Sequence, residues 1–313
     1  MRPILLYLFF LLPAFSARAQ ITNTDQILSP QNAPVTGPVK SVRISQYHNL
    51  GDNVIKYDEK PLFDFSYDEA GHLVEQIFYE TDGHPYQRIA FEFDPENGKL
   101  LKRVEEDLDN NRKAIASYVS KDNYQVNYLD TAGQIRTIQV FQYDPKTRIR
   151  MEFFRNPDLS LDWGVKEKLD ERGNSVEHME FFDEAEMKSE EHYELIHQYQ
   201  YNAAGQITEQ LSLDDGEFVG KEVFIYDEQG RIVETTFYYE RPDRLSFHKT
   251  YRYNEHNDAT ERTWDNRESY ATFVQKLKYE YVYDHNGNWI LRKSFNEGYP
   301  AGTIERTITY WEK

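Results

Sequence analysis

A glutamate recurs at five places in this 313-residue chain, each eight residues after the aromatic or leucine residue that starts a repeated phrase. If the phrase is a hairpin in which the Asp pairs with the residue after Gly, each glutamate falls on the side of the sheet that carries aromatic residues. The five are Glu75, Glu177, Glu209, Glu234 and Glu261, and the residues predicted opposite them are Phe65, Glu167, Tyr199, Phe224 and Tyr251. Such a ladder could hold sugars by stacking and hydrogen bonding, or its carboxylates could accept hydrogen bonds from tyrosines and pair with arginines.

The ladder does not indicate a glycosidase. An acid and a base for glycoside hydrolysis must converge at one site, about 5 or 9.5 Å apart. A carboxylate repeated in hairpin after hairpin indicates a structural element, and we therefore predict no catalytic residue.

Tryptophans are the other sugar-stacking candidates, at positions 163, 264, 289 and 311. Trp289 falls in the apolar slot of its repeat, which indicates packing. Trp264, in "RTWDNRESY", lies near a predicted loop and is the strongest candidate of the four. The predicted ligand-binding set is therefore Trp264, the five glutamates, Tyr199 and Tyr251.

Metal ligands are sparse. The chain has no cysteine, and His192 and His197 are five apart on a predicted strand, so they would point to opposite faces. The run "DLDNN" at 107–111 resembles half of a calcium loop but lacks its glycine and distal glutamate. We predict no metal site and no cofactor, and calcium binding remains only as an alternative explanation of the acidic composition.

One repeated phrase predicts the strands and turns that position these residues. It consists of an aromatic residue or Leu, then Asp or Asn, then two further residues and Gly. Most copies are separated by roughly 25 to 35 residues, which is a period typical of repeat architectures. Close copies are "YDEAGHL" from Tyr67, "LDTAGQI" from Leu129, "YNAAGQI" from Tyr201, "YDEQGRI" from Tyr226 and "YDHNGNW" from Tyr283. Weaker copies start at Phe93, Tyr143, Leu169 and Tyr253.

The phrase predicts a three-residue hairpin turn. The Asp side chain bonds to the backbone ahead, two residues form a type I turn, and Gly adopts positive φ. Asn257 can replace that glycine, whereas β-branched Thr147 should distort its turn. In the strand before each turn aromatic residues alternate with polar ones, as at Tyr199 and Tyr201. We predict an all-β fold of repeated antiparallel hairpins in a long, curved meander sheet that is open, superhelical or barrel-like.

The predicted organisation of the chain and its net charge limit the class of protein to which it can belong. Residues 1–19 have the pattern of a secretory signal peptide, residues 20–38 form a Pro-rich extended leader, and residues 39–313 form a single β domain. A net charge of −18 argues against a nucleic-acid partner. The absence of cysteine in a secreted chain favours the periplasm or cell surface of a Gram-negative bacterium.

An outer-membrane barrel is the competing location for such a meander. Its lipid face would need a continuous apolar band. Here one strand face carries Lys, Glu and Arg, and the other is predicted to carry the glutamate ladder, so we expect a protein that does not span the membrane.

The phrases "YDEAGHL", "YDEQGRI" and "YDHNGNW" resemble the YD repeats of the Rhs/YD-repeat family, and "GPVKSVRISQY" resembles the start of small secreted YD-repeat proteins of Bacteroidetes-type bacteria. The resemblance covers roughly residues 38 to 313. It implies a β-sheet shell, which encloses a toxin in some large members, while carbohydrate binding has been proposed for others. This chain is far shorter than those members, so toxin encapsulation is not expected.

The resulting hypothesis is a secreted, non-catalytic envelope or surface protein that binds a glycan or a protein partner. The alternative is a structural module that self-associates through exposed edge strands. A glycosidase ranks third.

Overall fold

The structure is a computed structural model, and it describes residues 35–312 except 51–52, 56–60, 81, 121–122, 190–194 and 268–271. The predicted signal peptide and most of the Pro-rich leader lie outside the described residues. No helix in this part of the chain is long and apolar enough to cross a bilayer.

Within the described residues the chain forms 21 strands and one short helix. The first half contains β1 Val39–Leu50, β2 Asn53–Ile55, β3 Pro61–Tyr67, β4 Leu73–Tyr79, β5 Pro85–Phe93, β6 Leu100–Asp107, β7 Arg112–Ser120, β8 Asn123–Leu129, β9 Ile135–Asp144, β10 Ile149–Arg155 and β11 Leu161–Leu169. The second half contains β12 Ser175–Phe181, α1 Glu184–Lys188, β13 Leu195–Tyr201, β14 Ile207–Asp214, β15 Glu217–Tyr226, β16 Ile232–Tyr239, β17 Leu245–Tyr253, β18 Ala259–Asn266, β19 Phe273–Tyr283, β20 Trp289–Asn296 and β21 Tyr299–Tyr310.

The meander closes into a barrel. From β3 to β21 each strand pairs antiparallel with the next, and β1 pairs with both β21 and β3. Val42, for example, lies opposite Ile308 on one side and Phe65 on the other. The short β2 pairs with the end of β1, so 20 strands form the ring. The predicted all-β meander is confirmed, and of the predicted shapes the chain adopts the barrel.

The predicted turn geometry is confirmed at the repeat that starts at Tyr226. The Asp227 and Arg231 backbones are hydrogen-bonded across the turn, Gly230 has φ 79°, and the Asp227 carboxylate accepts the backbone N–H groups of Gln229 and Arg231. Asn257 replaces glycine at φ 67°, as predicted.

Some turns depart from this pattern, among them those that follow Tyr143 and Arg155. In the turn after Tyr143 the left-handed residue is Arg148, at φ 58°, one position after Thr147, so the turn is lengthened by one residue. In the turn at 156–160 the left-handed position is filled by Leu159, at φ 71°, where a side chain strains the backbone.

The predicted register beyond the turn is wrong by one residue. Tyr226 lies opposite Ile232, as expected, but Ile225 then lies opposite Glu234, because Val233 is the extra residue of a β-bulge. A one-residue shift moves every following side chain to the other face of the sheet. The same shift follows the turns at Tyr67, Leu169, Tyr201 and Tyr253.

The two faces of the sheet differ in composition. The face that we call the aromatic face includes Val42, Ile44, Phe65, Phe78, Ile89, Val126, Phe154, Phe224, Thr235, Tyr251, Trp264, Tyr279 and Arg306. The opposite, charged face includes Arg43, Asp64, Glu75, Arg88, Glu106 and Lys113, which form ion pairs across the strands. Following the pairs around the ring returns to the same face, so the alternation is consistent with closure.

The aromatic face lies inside the barrel. Side chains converge and cover one another on a concave surface, and Ile44, Phe224 and Tyr251 on this face are only 1 to 3% exposed. The charged face is convex and meets solvent.

One patch of the charged face is apolar. Phe153, Met179 and Phe181 form a buried cluster there, and Met187 of α1 packs against it. Asp183 caps this helix by accepting the backbone N–H groups of Ala185 and Glu186. The helix thus covers the outer apolar patch.

Candidate ligand-binding face

Trp264 occupies the centre of a cation and aromatic cluster on the aromatic face. It lies on β18, directly opposite Lys249 on β17 and Gln275 on β19. The Lys249 ammonium lies 5.0 Å and the Arg262 guanidinium 5.7 Å from the centroid of its ring. Phe273 packs edge-on at 5.0 Å. The ring is therefore held in place while remaining partly exposed.

The buried polar atoms of this region include the indole Nε1 of Trp264 and the hydroxyl of Thr235, neither of which has a hydrogen-bond partner in the part of the chain that the structure describes. Thr235 is completely buried opposite Lys249. An unpaired buried polar group costs about 1–3 kcal/mol. The indole N–H of Trp264 is thus a donor that a ligand oxygen could satisfy.

Glu222 on β15 is a carboxylate close enough to this cluster to interact with the Lys249 charge. Burial raises the pKa of Glu222 to about 7, although the Lys249 ammonium opposes the rise. Its side chain lies opposite Gln210 and Phe237 on the neighbouring strands. Near neutral pH this group therefore changes between a donor and an anion.

A second cluster of polar side chains lies across the neighbouring strands β10, β11 and β12. Arg150 is paired with Glu167 at 2.5 Å, and His178 lies 3.9 Å from the same carboxylate. Burial alone would raise the pKa of Glu167, but His178 and Arg150 lower it to about 2. Nearby on β10, burial raises the pKa of Glu152, which accepts a 2.5 Å hydrogen bond from the Gln139 amide. Both carboxylates therefore already have protein partners.

Tyrosines of the repeat link each hairpin to the preceding one. The Tyr226 and Tyr253 hydroxyls donate to the backbone carbonyls of Ile207 and Ile232, at 2.8 and 2.7 Å. The Tyr199 hydroxyl donates to the Ser175 carbonyl at 2.8 Å. The aromatic residue that opens the phrase thus stabilises the stacking of successive hairpins.

The glutamate ladder does not lie on the aromatic side, because the bulges move it to the charged face. Its members pair there with cations or polar groups of the same strand pairs. Glu75 pairs with Arg88, Glu177 with Lys168, Glu209 with Lys221 and Gln200, Glu234 with His248, and Glu261 with Arg252 and Lys278. The prediction that the five glutamates and the aromatic residues share one face of the sheet is therefore wrong.

The remaining predicted ligand residues separate into two places. Tyr251 lies on the aromatic face beside Trp264, directly opposite Arg262, and is 3% exposed. Tyr199 lies on the same face but four strands away, next to His197. Lys249 and Glu222 were not predicted from the sequence, although Lys249 lies between Phe247 and Tyr251 in the alternating run "SFHKTYRY".

The other tryptophans pack against neighbours. Trp163 stacks on Phe154 at 4.9 Å, and Trp289 is 4% exposed beneath Arg306. The Trp311 indole donates to the Asp68 carbonyl. Burial of Trp289 agrees with the packing role predicted for it.

The candidate metal residues are engaged with one another where they are described. In the "DLDNN" loop the Asp107 carboxylate accepts the backbone N–H and the side-chain amide of Asn110, and Asp109 pairs with His84. His197 contacts the Ser212 hydroxyl, and burial lowers its pKa. His192 lies outside the described residues. Within the described ranges no three His, Asp or Glu residues are grouped to hold a metal ion.

Comparison with known proteins gives no family. Neither a protein-family model nor a curated protein matches the chain. Solved structures with a similar trace include a porin-like protein from Bacteroides uniformis, with 11% identity, 88% of this chain and 98% of that chain covered, and a TM-score of 0.34. A porin-like protein from Bacteroides vulgatus has 9% identity, coverage of 88% and 99%, and a TM-score of 0.25.

A third similar structure is a chain of the Photorhabdus luminescens Tc holotoxin pore, with 11% identity and a TM-score of 0.28. The match covers 80% of this chain but only 16% of that chain. At these identities and TM-scores, no function is transferred from any of the three proteins. The function must be argued from the residues of the barrel itself.

Proposed function

We propose that this protein is a non-catalytic β-barrel of the Gram-negative envelope that binds a glycan on its aromatic face. The observation that carries the proposal is Trp264, a partly exposed ring held between Lys249 and Arg262 whose indole N–H lacks an acceptor. Aromatic rings with a few converging polar groups are typical of ligand sites, and such a ring can stack on the apolar face of a sugar.

The competing hypothesis was self-association through open sheet edges. An edge strand must have unpaired backbone groups to recruit another chain. From Val39 to Tyr47 strand β1 is paired with β21, and from Ser41 to Ser45 it is also paired with β3. The edges that this hypothesis requires are therefore used for closure.

Binding without cleavage is supported by the state of the acidic residues. Glu167, whose pKa is lowered, is held by Arg150, and Glu152 accepts a hydrogen bond from Gln139. Glu222 has Lys249 as its charged neighbour and no second carboxylate as its partner across the strands. These contacts favour structural roles for the three glutamates over roles as a catalytic acid and base.

Replacing Trp264 by Ala will lower the affinity for the bound glycan at least tenfold, because the stacking ring is removed. The measurement is isothermal titration of the purified protein with the best ligand from a polysaccharide panel, with calcium and with chelator. Trp163→Ala is the matched control, since Trp163 is a stacked tryptophan on strand β11 of the same face. Trp264→Phe, which keeps a ring but lacks the N–H, separates stacking from hydrogen bonding.

Circular dichroism must show that each variant is folded. Equal losses in both Ala variants would contradict a specific role for Trp264, and failure of every polysaccharide to bind would remove the proposal. Release of reducing ends during the titration would contradict its non-catalytic part. A loss of affinity in chelator would assign a role to calcium.

A further inference from the structure

A cavity of about 310 Å³ lies where the turn between β3 and β4 meets the turn between β5 and β6. Its lining includes Asp68 and His72 from the first turn, Phe91 and Phe93 from β5, and Asp94 from the second turn. Ligand pockets have volumes of about 300–1,000 Å³, so this cavity has room for one small molecule. The side chains of Asp68 and His72 are 36% and 33% exposed, so a ligand can reach them from solvent.

Tyrosine hydroxyls connect the corresponding hairpins elsewhere in the repeat. The Tyr201 hydroxyl donates to the Asp170 carboxylate of the preceding turn at 2.5 Å, and the Tyr283 hydroxyl donates to Asp258 at 2.7 Å. The Tyr226 hydroxyl donates instead to a strand carbonyl of the preceding hairpin. At these positions the aromatic residue that opens a phrase therefore donates a hydrogen bond to the hairpin before it.

Phe93 opens its phrase without such a hydroxyl. Its ring stacks on the His72 imidazole, with the centroids 4.6 Å apart, much as Arg172 lies 4.0 Å from the centroid of the Tyr201 ring. The donors that the structure describes for the Asp68 carboxylate come from its own turn, among them the backbone N–H and the imidazole Nδ1 of His72, at 2.8 and 2.9 Å. The cavity thus lies at a junction that keeps the stacking contact of the repeat and lacks its phenolic donor.

The two carboxylates of the cavity can accept further hydrogen bonds. Burial alone would raise the pKa of Asp68, but the hydrogen bonds from the side chain and backbone of His72 lower it, so Asp68 is ionised at neutral pH. Asp94 accepts the backbone N–H of Glu96 and the side-chain amide of Asn97, both at 2.8 Å. An ionised carboxylate can accept about four hydrogen bonds, so the donors of a ligand could be added to those of the turns.

We propose that this cavity binds one neutral sugar residue, with a sugar hydroxyl donating to Asp68 in place of the phenolic hydroxyl. The apolar face of a sugar ring can pack on the rings of Phe91 and Phe93, while its hydroxyls face the carboxylates of the two turns. A phenol would supply one donor for two carboxylates, and an acidic sugar would be repelled by them.

The cavity is separate from the Trp264 cluster, so the inference does not depend on the proposed function. Successive antiparallel strands place the β3–β4 turn at the same end of the barrel as the β17–β18 turn. Trp264 lies near the β18–β19 turn, at the other end. The two sites can therefore be tested with different variants.

The test is saturation-transfer NMR of the purified protein with glucose, galactose, mannose and N-acetylglucosamine, followed by titration of the sugar that gives the strongest signal. Phe93→Tyr supplies the missing hydroxyl and fills part of the cavity. We expect it to bind the sugar at least tenfold more weakly and to unfold at a higher urea concentration than the wild-type protein. Phe182→Tyr is the matched control, since Phe182 is 62% exposed after β12, and it should change neither quantity.

Asp68→Asn removes the charge and keeps the turn. Asn202 and Asn254 open turns of the same phrase and accept the corresponding backbone N–H groups, so the variant should fold. We expect it also to weaken sugar binding at least tenfold. Asp130→Asn is its control, because Asp130 accepts the corresponding N–H of Gln134 in the turn after β8 and should not affect binding.

Sugar binding that persists in both Phe93→Tyr and Asp68→Asn would overturn the inference. If Trp264→Ala then removed the signal, the sugar would be bound at the Trp264 cluster, and the proposed function would stand without this second site. Failure of all four sugars to bind, or binding of phenol in their place, would also overturn the inference. The polysaccharide titration of Trp264→Ala decides the proposed function separately.

Discussion

A chain that ends at Asn296 will not form a stable barrel, even though it keeps 20 of the 21 strands. Strand β21 pairs with β20 on one side and with β1 on the other, so its loss leaves two unpaired edges. Ile304 and Ile308 also pack on the cluster that buries Val42 and Ile44. Burial of one such aliphatic side chain contributes about 1.5–3 kcal/mol, and a whole domain has only about 5–15 kcal/mol of stability.

The measurement is urea unfolding followed by circular dichroism. We expect the chain that ends at Asn296 to show no cooperative transition and to aggregate through its free edges. A chain that ends at Trp311 keeps β21 and should unfold like the complete protein. A cooperative transition of the shorter chain at the same urea concentration would show that closure contributes nothing.

Replacing Glu222 by Gln will stabilise the protein at pH 8 and have little effect below pH 4.5. Burial raises the pKa of Glu222 from its ordinary 4.5 to about 7, so the folded state binds this proton more tightly than the unfolded state. The stabilisation from the neutral form is complete below pH 4.5 and is lost as pH rises through about 7. At pH 8 the wild-type protein has a buried carboxylate that costs up to about 3 kcal/mol, and glutamine avoids that cost.

The free energy of unfolding, measured in urea from pH 4 to pH 8, should therefore diverge between the two proteins as pH rises. Glu167→Gln is the control for which we expect the opposite change in the free energy of unfolding, because Arg150 and His178 lower the pKa of Glu167 to about 2. That carboxylate stabilises the fold above pH 4.5, so its replacement should destabilise the protein at pH 7. Parallel curves for wild type and Glu222→Gln would contradict the buried position of Glu222.

Local features of the fold could be predicted from the sequence because they depend on a few neighbouring residues. The Asp and Gly of each phrase determine the turn, and Asn257 takes the glycine position at φ 67° as predicted. The face of the second strand could not be predicted in this way. Whether one residue bulges after the turn decides it, and at Val233 the bulge moves Glu234 to the charged face.

Closure could not be predicted either. It depends on pairs such as Ile44 with Arg306, which lie more than 260 residues apart, and on the twist accumulated over all the intervening strands. Trp264 was proposed from the sequence because a tryptophan near a predicted loop is conspicuous, whereas the position of Lys249 opposite Trp264 requires the register of β17 and β18.

Formation of a disulfide between strands β1 and β21 tests whether the barrel is closed. Ser41 on β1 and Thr309 on β21 lie directly opposite, with their hydroxyls 2.6 Å apart on the outer surface, and the chain has no cysteine of its own. The double variant Ser41→Cys and Thr309→Cys, oxidised at low protein concentration, should form an intramolecular disulfide in nearly every molecule, seen by non-reducing electrophoresis and mass spectrometry. The control pair, Ser41→Cys with Ser117→Cys, lies on the same face with β3 to β6 in between and should not cross-link. Free thiols or only intermolecular products from the first pair would contradict a closed barrel, and with it the separation of an inner aromatic face from an outer charged one.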